Sequence, residues 1–304
     1  MNNKILILHA EEDRAQVETA IALLRKKFNL VSIRDLEEYY YNGKKLKNSC
    51  HISVDDGDSS FYDIIYPVLR KYDIPASLFV SPKICFNAEN FWYQEARGCN
   101  QDELRKFIAD YCNIDINYLR RHRPGKILIN FRIDEIWNIL KEYKKQVGVP
   151  FIEPQNLSID QLLEIDSDGL VTIGAHTLNH PILANESDDR SEKEITGSIR
   201  ELESILNHEV KYFAYPRGIP GLDFGNREIE YLVKNNVRLA FSSDPKNIDS
   251  KDNPLSIPRY SFTSGNEYYV RMKLFFGRYW RITRGLNSAA DIKFRTEMKS
   301  KINR

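Results

Sequence analysis

Apolar and polar positions change rhythm repeatedly along the chain. "KILILH" near the N-terminus is a short apolar run and reads as a buried strand. In "VETAIALLRKKF", Val17, Ile21, Leu24 and Phe28 recur at helical spacing. "HISV" is a second strand, and Phe61, Ile64, Ile65, Val68, Leu69 and Tyr72 then mark a second helix. "IPASLFV", opened by Pro75, and "GLVTIGAH" are further strands. "SEKEITGSIRELESILN" predicts a helix with Ile195, Ile199, Leu202 and Leu206 on one face. "VKYFAYP", "VRLAFSS" and "LSIPRYSF" are the late strands. Such alternation predicts βα units and a parallel sheet, open or closed into a barrel. Residues 86–150 break the rhythm, being polar, aromatic and mostly helical in pattern. They read as an insertion in a βα loop rather than as a separate domain.

Composition adds bounds. The 304 residues, 42% hydrophobic and 29% charged, support a sizeable core. A net charge of +1 gives the whole chain no nucleic-acid signature. Cys50, Cys85, Cys99 and Cys112 include no CxxC pair, which points to reduced thiols rather than a zinc knuckle or redox motif. "MNNKILILHAEED" turns acidic too soon for a signal-peptide core or a membrane span, so a cytoplasmic protein is expected.

Charge changes the picture at the tail. From Asn266 to Arg304 ten basic residues stand against three acidic ones, interleaved with Phe275, Phe276, Tyr279 and Trp280. One reading is a helix packed on the body with a solvated basic face. The sharper reading is a surface for anionic headgroups or phosphates, with peripheral contact to an anionic membrane, which basic residues mixed with aromatics suit.

Three stretches carry candidate chemistry, each at the end of a predicted strand: "SVDDGD" (53–58), "IGAHTLNHP" (173–181) and "FAYPRG" (213–218). Parallel α/β folds build their sites at the C-terminal strand ends. Asp55 and Asp56 would face opposite ways on a continuing strand, and Gly57 lets the backbone turn so that both reach one mouth. His176 and His180 are four apart, which on a helical turn puts both imidazoles on one face. Two histidines and one carboxylate form a common divalent-metal set with open positions, most suited to zinc, with iron, cobalt or nickel as alternatives. The second carboxylate can then serve as a base toward water. A lone HxxxH or a lone DDG is weak evidence. The two together, at strand ends and in this order, are strong.

The motifs resemble those of the polysaccharide deacetylases, the NodB-homology group of carbohydrate esterases. Their first motif, TFDDG, is matched by Ser53-Val54-Asp55-Asp56-Gly57, and their second, H(S/T)xxHP, by His176, Thr177, His180 and Pro181. "YPVLRKYDIPASLFV", "LSIPRYSF" and "LLRKKFNLVSIRDLEEY" also resemble family stretches, and "FAYPRG" resembles a third motif with Ala214 in place of its leading arginine. The resemblance implies a distorted, incomplete (β/α)7 barrel over residues 1–265, apart from the insertion, with 266–304 as an extension packed on it. It implies Asp55 as general base and Asp56, His176 and His180 as metal ligands. It places the oxyanion hole in the backbone after Pro216, at Arg217 and Gly218. Asp58, Thr177, Asn179, Tyr215 and Arg259 fall at positions expected to meet substrate, and Arg217 is a second candidate for meeting a substrate phosphate or carboxylate. The family's late histidine, which protonates the leaving amine, has no counterpart here, since no histidine follows His208.

The expected activity is metal-dependent removal of an N-acetyl or N-formyl group from an amino sugar in a glycan or in a lipid-linked or nucleotide-linked precursor of surface polysaccharide. Two alternatives stand beside it: a silenced member that binds glycan, and a deacylase of a small non-carbohydrate amide.

Overall fold

The computed structural model describes residues 3–262, 265, 267–276 and 280–302, and within these not the side chains of residues 273–288. Eight strands follow the predicted apolar runs, with one addition: β1 (Lys4–Leu8), β2 (Asn29–Leu30), β3 (Ser49–Val54), β4 (Ala76–Val80), β5 (Val171–Ala175), β6 (Tyr212–Ala214), β7 (Leu239–Phe241) and β8 (Tyr260–Ser261). They pair in the order β7-β6-β5-β4-β3-β1-β8, every pair parallel, with the two-residue β2 added on β3. The seven strands of the main path curl into an incomplete barrel. Its two edges approach at the late segment, where Ile257 bridges Phe241 of β7 and Tyr260 pairs with Leu6 of β1.

Alternation along the strands makes two cores, because successive side chains of a strand point to opposite faces. Leu6, Leu8, Ile52, Val54, Leu78, Val80, Ile173 and Phe213 point outward into a cluster shared with the helices Arg14–Lys27, Tyr66–Tyr72 and Asp188–Leu206. Ile5, Phe79, Tyr212, Ala214, Leu239 and Phe241 pack together as an inner cluster with Ile257. Each such side chain contributes about 1.5–3 kcal/mol by leaving water. Gly174 of β5 sits where neighbouring groups leave no space for a side chain. A Cβ there would lie 2.5 Å from Cε1 of Phe79 and 2.9 Å from the Tyr212 carbonyl oxygen.

The insertion lies in the β4–β5 connection. Its helices include Trp92–Arg97, Gln101–Tyr111, Pro124–Leu128 and Ile133–Val147. They bury an apolar cluster of their own, with Leu104, Ile108, Leu128, Ile136 and Leu140 at its centre. The helix Ile159–Asp168 that follows is different: its Leu162 and Ile165 join the outer barrel cluster, so it is the ordinary covering helix before β5. Phe294 and Met298, from the C-terminal helix Trp280–Ile302, complete the insertion's cluster.

Candidate metal centre

Strand β3 delivers the two acids. Asp55 continues the inward-facing side of the strand and is buried, its amide donating to the Leu8 carbonyl. The turn begins one residue earlier than the glycine alone requires, because Asp56 is itself left-handed at φ 78°, as is Gly57 at φ 78°. Aspartate tolerates this region better than most residues. A side chain on Gly57 would meet Val80 Cγ1 at 2.9 Å. The left-handed step swings the Asp56 carboxylate away from Asp55.

Strand β5 delivers the histidines, but not on a helical turn. Residues 176–180 form a loop in which Thr177 (φ 65°) and His180 (φ 55°) are left-handed. The buried Glu194 carboxylate fixes this loop by accepting from the amides of Leu178 (3.0 Å) and Asn179 (2.9 Å) and from Asn179 Nδ2 (2.6 Å). Thr177 Oγ1 accepts from the His180 amide at 3.1 Å.

The two stretches converge. Asp56 Oδ1 lies 3.5 Å from His176 Nε2 and 3.4 Å from His180 Nε2. Two ligand atoms on one tetrahedral ion with bonds of about 2.1 Å stand about 3.4 Å apart, so the spacing fits a shared cation. Tautomer supports the fit: His176 Nδ1–H donates to the Ala214 carbonyl at 2.7 Å, which leaves Nε2 with its lone pair facing Asp56. The pKa directions agree at Asp56 and His180, whereas at His176 burial is outweighed by the facing Asp56 and Asp55 carboxylates, which raise the imidazole. Burial pushes the Asp56 carboxyl up, but the two imidazoles that face it outweigh this and hold it well below the usual range. Burial dominates at His180 and lowers it, favouring the neutral ring that ligates metal. This is the one group of three or more candidate ligands among the described residues.

Asp55 is held apart by Arg259, whose Nη1 and Nη2 donate to its two oxygens at 2.8 Å each. Nη1 also donates to Ser53 Oγ and Nε to the Ser242 carbonyl. Burial raises the Asp55 carboxyl, and the guanidinium charge more than offsets this, so it stays ionised.

The remaining predicted residues sort by burial. Asp58 and Asn179 are half-buried beside the site. Thr177, Tyr215 and Arg259, expected to meet substrate, are instead buried with their polar atoms spent inside the protein; Tyr215 donates to the Leu255 carbonyl and stacks on Phe224 at 3.5 Å. Arg217 pairs with Asp291, and its Nε lies 3.6 Å from Asp223. That removes its guanidinium from the role of a free anion clamp. Its backbone is a different matter: Arg217 (φ 59°) and Gly218 (φ 64°) form a left-handed pair after Pro216, and the Arg217 N–H has no acceptor among the described residues.

Four neighbours escape the motifs. The insertion sends Phe91 and Tyr93 edge-on to the His180 ring, at 5.5 Å and 5.1 Å between centroids, and Trp92 Nε1 donates to the His180 carbonyl. Burial, then the charge of Asp56, pushes the Tyr93 hydroxyl well above its ordinary pKa. His9, at the end of β1, is exposed and close enough for its charge to act on both Asp55 and Asp56.

Comparison with known proteins agrees with this construction. The family model for polysaccharide deacetylase matches residues 125–236, the segment holding the second and third motifs. No curated protein sequence matches the chain. Among solved structures, the chain resembles the deacetylase PplD of Streptococcus pyogenes in complex with acetate, with a TM-score of 0.58 at 17% identity over 86% of this chain and 92% of that one. IcaB from Ammonifex degensii gives 0.59 at 18% identity, again over 86% and 92%. The BpsB deacetylase domain from Bordetella bronchiseptica gives 0.55 at 14% identity over 86% and 96%. At these identities the structures speak for the fold. The segment bearing the second and third motifs thus matches the polysaccharide deacetylase family model, and the chain shares the fold of these structures.

Proposed function

We propose that the chain is a metal-dependent hydrolase that removes an N-acetyl or N-formyl group from an amino sugar in a glycan or in a lipid- or nucleotide-linked precursor of surface polysaccharide. The observation that carries this is the division of the two acids. Asp56 meets His176 and His180, while Asp55 is kept ionised and separate by Arg259. Asp56, His176 and His180 would hold a divalent cation, zinc being the best match to two imidazoles and a carboxylate, ahead of iron, cobalt or nickel. Such an ion, when bound, polarises the amide carbonyl and lowers the pKa of water.

The chain supplies the rest. Asp55 accepts the proton of the attacking water through lone pairs that Arg259 leaves unused. The Arg217 N–H, with the backbone of the Pro216–Gly218 turn, donates to the developing oxyanion. For the leaving amine we infer His9 as the proton donor, exposed at the end of β1. His51 is buried inside the barrel with both nitrogens engaged, His122 stacks on Phe294 in the insertion, and His208 pairs with Asp166. His9 follows Leu8, whose partner across the sheet is Val54, the residue before the two aspartates. We place the enzyme at the cytoplasmic side, in peripheral contact with an anionic membrane through the tail. Among the described residues no helix is long and apolar enough to cross a membrane.

The test is metal analysis of the purified protein together with a mass-shift screen on free and lipid-linked N-acetyl and N-formyl sugars. A stoichiometric divalent metal and a loss of the acyl mass support the reading. Glycan binding without any mass loss indicates a silenced member. Activity confined to simple amides indicates a small-molecule deacylase.

A further inference from the structure

A cleft of about 470 Å³ lies between the insertion and the loop after β5, within the range of small-molecule sites. We propose that it is a saccharide subsite, taking a sugar ring next to the one that is deacylated. This rests on the amino-sugar reading above and specifies where the rest of the glycan goes.

One wall is the helix Ile133–Val147, fixed from behind by the buried Ile136, Ile139, Leu140 and Tyr143. Trp137 and Lys141 are four apart on it and both line the cleft. Phe151 stands beside Trp137, ring centroids 6.4 Å apart, and remains 48% exposed. An aromatic pair left open to solvent on a rigid support offers apolar faces against which a pyranose ring can lie.

The opposite side belongs to the metal centre's own scaffold. Lys83, three residues after the end of β4, donates to Asn179 Oδ1 at 3.0 Å, and Asn179 immediately precedes His180. Asn90, next to the Phe91 that abuts His180, is locked by bonds to Glu95 (2.9 Å), the Ile152 carbonyl (2.9 Å) and the Gln155 amide (2.9 Å). A ring in the cleft is therefore one residue away from the ligand His180 at Asn179, and one residue away from the aromatic packed on that ligand at Asn90. Charge suits a hydroxyl-rich ligand better than an alkyl chain. The lining Glu95 is neutralised by the buried Lys144 at 2.8 Å, which leaves Lys83 and Lys141 as donors against the exposed Glu89. Aromatic faces interleaved with ammonium and amide groups match the alternating C–H and O–H surfaces of a sugar.

The experiment reads binding, not turnover. Chitotetraose and N-acetylglucosamine are titrated calorimetrically into the Asp55→Asn protein, alone and combined with Trp137→Ala or Phe151→Ala. The tetramer is expected to bind about tenfold or more tighter than the monomer, the gain that stacked aromatic contacts supply. Either added substitution should bring the tetramer down to the monomer's affinity while leaving the monomer unchanged. Phe151, being exposed, can be truncated without unfolding the chain, and a circular-dichroism melt checks Trp137→Ala. A tetramer no tighter than the monomer, or an affinity indifferent to both substitutions, overturns the subsite. Length-dependent binding in a wild-type protein that never releases acetate would keep the subsite and remove the hydrolase reading. Acetate release without length dependence would do the reverse.

Discussion

Asp55 and Asp56 adjoin in sequence yet meet different partners, because the left-handed step at Asp56 (φ 78°) breaks the strand between them. Their roles should separate in substitution. Asp56→Asn, like His176→Ala or His180→Ala, should sharply lower metal content, since three ligands leave little redundancy. Asp55→Asn should keep its metal and lose about 10²–10⁴-fold in turnover, the usual cost of removing a general base. Metal lost from Asp55→Asn but kept in Asp56→Asn would reverse the assignment. A second residue-scale prediction concerns pH. His51 is buried in the barrel, its Nδ1–H donating to the Val31 carbonyl and its Nε2 accepting from Ser77. Burial lowers its pKa to about 4. An unfolded histidine titrates near 6.5, so between these values the unfolded chain holds more protons than the folded one. Stability contributed by the neutral ring is therefore present above about pH 6.5 and falls as pH drops toward 4, by about 3 kcal/mol in all. Urea midpoints measured across this window should fall in the wild type and flatten by that amount in His51→Gln. Parallel curves for the two proteins would refute the assignment.

At the scale of elements, the barrel depends on pairing large residues with small ones. Gly174→Ala places a methyl against Phe79 and the Tyr212 carbonyl, with a contact of 2.5 Å to the ring. The expected cost is about 1–3 kcal/mol, read as a lower urea midpoint with unchanged slope. A midpoint equal to wild type would mean that Phe79 moves aside freely. The same inner–outer alternation explains what could be read without a structure. Most strands were legible because both their faces are buried, which leaves short apolar runs between turns. β2 and the helix Ile33–Tyr41 were not: the helix buries only Ile33 and Leu36 among its nine residues, so its period is hidden. The helix Asn226–Lys234 is similar, burying Glu228, Tyr231 and Leu232. At the site, the ligand identities could be read from residue types and strand ends. The convergence of His176 and His180 could not, since spacing suggested a helical turn where Glu194 instead ties down a loop. Nor could Arg259 be paired with Asp55, 204 residues away, because that contact exists only when the late segment closes the barrel.

At the scale of the whole molecule, the tail fastens three parts together. Asp291 pairs with Arg217 of the third motif and with Lys126 of the insertion at 3.0 Å. Arg295, fully buried, pairs with Asp223. Phe294 stacks on His122 at 3.8 Å, and Glu297 accepts from Tyr118 at 2.9 Å. The end of this helix is thus structural, which answers part of the question its charge raised. The other part concerns Arg278, Arg281 and Arg284, with the aromatics Phe275, Phe276, Tyr279 and Trp280, all of which lie outside the residues or side chains described here. Ten basic residues against three acidic ones from Asn266 onward, in a chain of net charge +1, concentrate positive charge in one segment. Each lysine or arginine near an anionic bilayer contributes about 1 kcal/mol, and salt screens it over about 10 Å at 0.1 M but only 3 Å at 1 M. The wild type should therefore sediment with phosphatidylserine-containing vesicles at low salt and be released at high salt. The triple change Arg278→Glu, Arg281→Glu, Arg284→Glu should abolish this while sparing deacylation of a water-soluble amino sugar, since none of the three belongs to the metal centre. If the wild type fails to bind such vesicles even at low salt, the tail's charge has no membrane role, and its work is confined to holding the third-motif turn against the insertion.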